Sequence, residues 1–200
     1  MSSRNAAGFA AAALLIAGCH HSCPPGPSAE GIDVPCCRAG GEGRPVKIDT
    51  GTAPWKVTPP SGSAAQPVVA LSNVAWTAVA PAAWVGSPDP NAVAFGEHVY
   101  ELGFKIAKCD NPTSATITGS FAADNKATVY LDGNATPVAT SQGTPDYGFL
   151  PGSVTPFTVS VPGTSGGAHT LKVVVNNSGG PSGLVLRGAI SNGCATEAGR

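Results

Sequence analysis

The chain has 200 residues, a formal net charge of −1 and only 12% charged residues. The near-neutral balance excludes a basic surface of the kind that binds nucleic acid, and the length suits a single hydrophobic core. The 26 glycines and 19 prolines interrupt the chain too often for long helices and predict a turn-rich protein.

The N-terminus has the pattern of an export signal. Arg4 precedes an apolar run from Ala6 to Ile16 that is too short to span a bilayer. The run ends in Leu15-Ile16-Ala17-Gly18-Cys19, which closely resembles the lipobox of bacterial lipoproteins. The resemblance implies removal of residues 1–18 and three acyl chains, palmitate among them, on Cys19. An ordinary signal peptide with a chance cysteine is the alternative.

The residue after the lipidation cysteine bears on location. His20 stands where an Asp would resemble an inner-membrane retention signal, so in a bacterium with two membranes we expect attachment to the outer membrane. Residues 19–45 are rich in Pro, Gly, Ser and Cys, and this composition predicts a disordered tether between the membrane and a folded domain.

Six cysteines stand at positions 19, 23, 36, 37, 109 and 194. Disulfides persist in exported proteins, and acylation of Cys19 leaves an odd number of thiols. Cys109 and Cys194 each follow a strand-like run, and we expect a bridge between them. Cys23 has Cys36 and Cys37 as alternative local partners. A zinc site with His20, His21 and this cluster is a weaker interpretation, because the spacing matches no recognised ligand pattern.

From residue 46 to 195 the chain alternates short runs of β-branched and aromatic residues with Gly, Pro, Asn and Asp, which is typical of an all-β sandwich or barrel. We expect residues 196–200 to form a short C-terminal tail. The predicted strands are Val68–Leu71, Val99–Ile106, Ala115–Ala122, Ala127–Leu131, Thr155–Val161, His169–Asn176 and Gly183–Ile190.

Three segments carry a second resemblance. The run from Phe121 to Gly133, the run from Gly167 to Asn177 and the run from Pro181 to Gly188 together resemble the galactose-binding-like jelly rolls. The resemblance implies a single jelly-roll β-sandwich over about Thr50 to Ile190. Asp132 and His169 stand where this pattern commonly has Asn. Such domains bind carbohydrates in some proteins and are structural modules in others.

Aromatic and basic residues supply the candidate ligand contacts. Trp55, Trp76 and Trp84 can stack on sugar rings if they are exposed, although burial is favoured for each of them. Tyr147 and Phe149 lie in a loop-like stretch, where binding residues are common. His98 and Arg187 complete the set of ligand-facing candidates.

Loop oxygens raise the question of a structural calcium ion. Asp124 and Asn125 lie in a turn, where short polar side chains most often bond their own backbone. Asp124 and Asp89 are also calcium candidates, with Asn91 nearby, because this ion prefers carboxylate and carbonyl oxygens from loops.

No recognised arrangement of catalytic residues is present in the sequence, so an enzyme is not expected. The favoured hypothesis is a lipid-anchored, non-catalytic sandwich that binds a glycan or an envelope polymer. The alternative is a structural or protein-interaction component of the cell envelope or of a surface assembly, with no sugar ligand.

Overall fold

The computed structural model describes residues 31–35, 44–88, 95–107, 112–142, 147–161 and 167–194, and all regular elements in these ranges are strands. In chain order the strands are β1 (Ile32–Val34), β2 (Val46–Lys47), β3 (Lys56–Thr58), β4 (Gln66–Pro67), β5 (Val69–Ala70), β6 (Val85–Gly86), β7 (Gly96–Ile106), β8 (Pro112–Asp124), β9 (Lys126–Leu131), β10 (Ala139–Thr140), β11 (Thr155–Val161), β12 (Ala168–Asn177) and β13 (Gly183–Cys194). None of the described residues belongs to a helix long and apolar enough to cross a membrane.

The strands form two sheets. The first sheet has the order β10-β9-β12-β7-β3-β4, all antiparallel, and β1 lies parallel to the second half of β7. The second sheet has the order β11-β8-β13-β6-β5, and β2 pairs with the second half of β13. Each sheet is therefore built around a pair of long antiparallel strands, β7 with β12 and β8 with β13. The prediction of a single jelly-roll β-sandwich is confirmed.

Alternation along the long strands places one set of side chains between the sheets. On β12 the buried apolar residues are Leu171, Val173 and Val175, and on β9 they are Ala127, Val129 and Leu131. These side chains pack in the core between the sheets together with the large residues Trp55, Tyr100, Phe104, Ile117, Phe121, Leu184, Leu186 and Ile190.

Two opposed glycines let this core pack close to the second sheet. Gly119 and Gly188 are direct partners on β8 and β13. A Cβ atom on Gly119 would lie 2.8 Å from the ring of Phe157, and one on Gly188 would lie 3.1 Å from Cδ1 of Ile48. Because neither glycine has a side chain, Phe157 and Ile48 fill this space.

The two departures from the jelly-roll sequence pattern contact each other. Asp132 lies in the turn after β9 with φ of 54°. Its Oδ2 lies 2.8 Å from Nδ1 of His169, and its Oδ1 accepts a hydrogen bond from the backbone N–H of Thr170. The ring of His169 also stacks on Phe104. The pair therefore ties the turn after β9 to β12.

Two predicted boundaries were wrong. The stretch 19–45, predicted as a tether throughout, contains β1, whose Val34 is buried in the core. A strand of three residues is too short to show alternation in the sequence. The predicted strand Val68–Leu71 is shortened to β5, Val69–Ala70, in the second sheet, and β4, which directly precedes it, lies in the first sheet. The chain passes from one sheet to the other at Val68.

The predicted disulfide stays a prediction. Cys109 lies outside the described residues, as do Cys19, Cys23, Cys36 and Cys37. Cys194 ends β13, and its backbone is paired with Pro112 at the start of β8.

Candidate functional site

The outer face of the second sheet, which points away from the core between the sheets, is divided into two parts. On β8 and β13 the outward residues Ala122 and Val185 are buried under two loops. We call this part the covered half. Its lid is built from Trp76, Val79, Ala82 and Trp84 of one loop and from Phe149 and Val154 of another. The next outward side chains on these strands are Ser120, which is half-buried, and Arg187, which is exposed.

The lid is fixed by stacking and by hydrogen bonds. Trp76 and Trp84 stack with ring centroids 4.4 Å apart. The indole N–H of Trp84 donates to the carbonyl of Thr77, whose own N–H donates to the carbonyl of Phe149. A backbone hydrogen bond therefore joins the two loops, and both loops pack their apolar side chains on the sheet beneath them.

A buried threonine joins the lid to the sheet. Thr50 Oγ1 donates to the carbonyl of Ala83 at 2.6 Å and accepts from the backbone N–H of Leu186 at 3.0 Å. The backbones of Thr50 and Ala83 are also bonded. Further along, Nη1 of Arg187 donates to the carbonyl of Ala80 at 3.1 Å. These bonds set the edge of the lid, at Ala80 and Pro81, beside the uncovered sheet.

A cleft of about 350 Å³ opens where the lid ends. Its lining consists of Lys47, Asp49, Pro81, Thr118, Gly119, Ser120, Arg187, Gly188 and Ala189. Strands β8 and β13 form the floor, Pro81 of the lid forms one wall, and the chain at and after β2 forms another. The volume lies at the lower end of the range of about 300–1,000 Å³ that is typical of small-molecule sites.

The cleft holds two cationic side chains and one carboxylate. Lys47 and Arg187 are exposed, and among the described residues neither has a carboxylate oxygen within 4.0 Å. Asp49 is only 4% exposed, and its Oδ1 accepts a hydrogen bond of 2.9 Å from the backbone N–H of Gly188. The remaining carboxylate oxygen accepts no hydrogen bond from the described residues.

Two hydroxyl groups complete the polar lining. Thr118 and Ser120 point outward from β8, opposite Ala189 and Arg187 of β13. Within the described structure neither side chain makes a hydrogen bond, so both hydroxyls can donate to and accept from a ligand.

The aromatic candidates lie elsewhere. Tyr147 is 53% exposed and meets Phe149 edge-on, with ring centroids 6.0 Å apart. Phe149 packs into the covered half, and the exposed residues Val74 and Leu150 lie in the same two loops. The structure therefore brings Tyr147 and Phe149 together but places neither in the lining of the cleft that contains Arg187.

Two ligand-facing predictions were wrong. Trp55 is 1% exposed, and its indole N–H donates to the carbonyl of Ile48 inside the core. His98 is also 1% exposed and points inward from β7, because it shares the face of Tyr100 and Leu102. A sugar ring cannot reach either side chain in this fold. The burial favoured by the sequence is confirmed for Trp55 and Trp84, whereas Trp76 is half-buried.

Asp124 has a structural role in the described residues. Its Oδ2 accepts the indole N–H of Trp76 at 2.8 Å. Burial raises the pKa of Asp124 above its ordinary value of 3.8, and the hydrogen bond from Trp76 opposes this shift in part. No group of three or more His, Cys, Asp or Glu residues gathers within the described ranges, and Asp89 and Asn91 lie outside them. The calcium prediction stays a prediction.

Sequence reasoning missed most of the cleft. Arg187 was predicted, whereas Lys47, Asp49, Thr118 and Ser120 were not. The usable signal was the alternation of the polar residues Thr116, Thr118 and Ser120 with Ile117 and Phe121. Asp49 bonds Gly188, which is 139 positions away in the chain, and no local pattern indicates such a contact.

Comparisons with known proteins return solved structures alone, since no protein-family model and no curated protein matches this chain. A GH2 β-galacturonidase from Eisenbergiella tayi bound to galacturonate is 20% identical, with 77% of this chain and 26% of that chain covered and a TM-score of 0.38. This chain thus spans about a quarter of the galacturonidase.

Two isolated modules are similar over nearly their whole length. The CBM36-1 domain of a multidomain xylanase from the hindgut metagenome of Trinervitermes trinervoides is 12% identical, with 76% of this chain and 100% of that chain covered and a TM-score of 0.39. CBM35 from Paenibacillus barcinonensis is 16% identical, with 72% and 97% covered and a TM-score of 0.38. We draw no functional argument from similarities of this size.

Proposed function

We propose that this chain is a lipid-anchored protein of the bacterial cell envelope whose β-sandwich is a non-catalytic module that binds a glycan or another envelope polymer. The observation that carries the proposal is the cleft beside the lid. It is open and lined by hydroxyls, two cations and a carboxylate, which are groups that hydrogen-bond the hydroxyls of a sugar. The lid and the sheet fix the walls of the cleft in the unbound protein, so binding costs little conformational entropy of the protein.

The chemistry of the cleft supports binding without catalysis. Most glycosidases use two carboxyl groups placed about 5–10 Å apart across the scissile bond. Among the described residues, Asp49 is the single carboxylate in the cleft lining, and the lining contains no histidine. The described lining therefore offers one carboxylate where an acid and base, or an acid and nucleophile, would need two.

Binding can be tested with two matched double variants. Thr118→Leu with Ser120→Leu removes both hydroxyls from the cleft floor and narrows it. Thr158→Leu with Ser160→Leu makes the same two exchanges on β11, on the same face but outside the cleft lining. We expect the full chain, purified in detergent, to bind polysaccharides on a glycan array or in a cell-wall pull-down. The first double variant should lose the signal, and the second should keep it.

Two results would contradict this assignment. One is the absence of binding to any glycan or cell-wall preparation by the unaltered chain. The other is equal loss of binding in both double variants, which would place the ligand outside the cleft.

The membrane attachment has its own test. Cells fed an alkyne analogue of palmitate should label the unaltered chain, and Cys19→Ser should remove the label and release the protein from the outer-membrane fraction. Labelling that persists in Cys19→Ser would contradict attachment through this residue.

The alternative function, a structural or protein-interaction component, has one observation in its favour. Several large apolar side chains are exposed in loops, namely Val74, Phe95, Tyr147 and Leu150. Chemical crosslinking followed by affinity capture from solubilised membranes would support this alternative if it recovered one protein in stoichiometric amount. Loss of that partner in Val74→Ser with Leu150→Ser would locate its contact on the lid loops.

A further inference from the structure

We propose that the cleft recognises acidic sugars, with the sugar carboxylate bound by Arg187 and Lys47 and the ring hydroxyls bound by Asp49, Ser120 and Thr118. This inference rests on the proposed glycan-binding function and specifies the chemical class of its ligand. It is carried by the distribution of charge over the two sheet faces, by the fixed position of Arg187 and by the placement of Asp49.

Three lysines on the outer face of the first sheet have an acidic residue opposite them, whereas the two cations of the cleft do not. On the first sheet Glu101 stands between Lys56 and Lys172 in register, and Lys105 stands beside Asp33. Each of these lysines therefore has an acidic neighbour. On the second sheet Lys47 stands opposite Ala189 and Arg187 stands opposite Ser120, so neither has an acidic partner in register. Their charges are available to an anion from outside.

Arg187 is positioned for this role. One of its guanidinium nitrogens is held by the carbonyl of Ala80, at the edge of the lid. The other N–H groups make no hydrogen bond within the described structure. A guanidinium group presents its N–H donors in a planar fork that matches the two oxygens of a carboxylate. Because the lid already fixes the side chain, less conformational entropy is lost when the anion binds.

Asp49 explains why the ligand is a sugar and not a simple anion. Its carboxylate repels any anion that lies against it, so a bound anionic group must lie toward Arg187 and Lys47. Its free oxygen accepts hydrogen bonds from hydroxyl groups, and Ser120 and Thr118 can donate or accept. A ligand that is negative at one end and hydroxylated at the other satisfies both parts of the cleft. A sugar ring with a carboxylate has this arrangement.

The experiment compares acidic polysaccharides with their uncharged esters. Binding of the full chain in detergent is measured to alginate and to hyaluronate, each beside its methyl ester, in the presence of EDTA so that no divalent cation bridges protein and polymer. The backbone and hydroxyls are the same in each pair, and the esters lack the charge. We expect affinity for each acid form to exceed that for its ester by about tenfold or more.

Variants assign this preference to the cleft. Arg187→Gln and Lys47→Gln should each reduce affinity for the acid forms about fivefold or more and bring it toward that of the esters. Lys105→Gln removes one positive charge from the outer face of the first sheet and should leave affinity unchanged. Arg187→Gln also removes a hydrogen bond to the lid and can therefore lower affinity by loosening it. Lys47→Gln tests the loss of charge alone, because the Lys47 side chain makes no hydrogen bond within the described structure.

The possible results distinguish recognition of acidic sugars from glycan binding in general. Binding to neutral glycans with equal affinity for acid and ester forms would overturn the inference and leave glycan binding intact. Binding to no glycan at all would overturn both. Competition by inorganic polyphosphate as strong as that by alginate would show attraction to charge alone, and it would also overturn the inference.

Discussion

The covered half and the cleft lie on the same two strands of the same sheet face, and two residues along each strand separate them. Ala122 and Val185 are small or apolar and are sealed under Trp76, Trp84 and Phe149. Ser120 and Arg187 come next on the same face and line the cleft. The lid therefore does two things. It buries the apolar part of this sheet face, and its edge forms a wall of the cleft.

The physical reason lies in the requirements of a sheet face. Outward apolar side chains need cover, whereas outward polar side chains are already satisfied by water. The tryptophans supply that cover, because each has a large apolar body and an N–H group that finds an acceptor, the carbonyl of Thr77 for Trp84 and the carboxylate of Asp124 for Trp76. The lid therefore ends where the apolar part of the face ends.

Trp84→Ala is expected to have the largest effect on both the covered half and the cleft. The side chain is buried against Trp76 and its N–H is bonded, so we expect the free energy of unfolding to fall by about 3–5 kcal/mol. Urea unfolding followed by circular dichroism measures this. Glycan binding should weaken as well, because the same lid carries the cleft wall. Tyr147→Ala is the control, since this exposed ring should change stability by less than about 0.5 kcal/mol. Equal effects of the two variants would refute the packing described for the lid.

A smaller effect is expected from Thr50→Val, which keeps the shape of the side chain and removes its hydroxyl. The buried N–H of Leu186 would lose its acceptor and the carbonyl of Ala83 would lose a donor, so unfolding should become easier by about 1–3 kcal/mol. Hydrogen exchange should also speed up at Ala83, whose N–H is bonded to the carbonyl of Thr50. Thr52→Val, at an exposed neighbouring threonine, should have little effect. Unchanged exchange at Ala83 would show that the lid does not depend on this contact.

The smallest effect concerns pH. Because burial raises the pKa of Asp124 in the folded state, its contribution favours folding below the ordinary value of 3.8 and is lost as pH rises through the folded pKa. Asp124→Asn keeps an oxygen that accepts the indole N–H of Trp76 and does not ionise. The stability of this variant relative to the unaltered chain should therefore rise between about pH 3 and pH 7. Denaturant unfolding at both pH values measures the difference, and a constant or falling difference would contradict the assignment.

Strong local patterns were sufficient for the long strands. The strand Thr155–Val161 was predicted with the bounds of β11, and the alternation in Leu171, Val173 and Val175 placed one face of β12 in the core. Strands of two or three residues, such as β1 and β6, carry no such pattern and are formed by pairing with the long strands.

Individual exposure was harder to predict than strand position. Composition does not separate Trp55, which is buried between the sheets, from an aromatic residue that faces solvent. Its burial depends on β3 lying beside β7, where Val57 is paired with Tyr100. The same holds for His98, whose face is set by the register of β7.

The sequence by itself determined the all-β class, the positions of the long strands and the inward faces of several of them, because these properties follow from residue type and spacing within a few positions. Only the tertiary structure decided which part of a sheet face is sealed and which is open. That decision depends on where the loops with Trp76 and Phe149 cross the sheet, and on the contact of Asp49 with Gly188. Such contacts join residues far apart in the chain, and packing selects them.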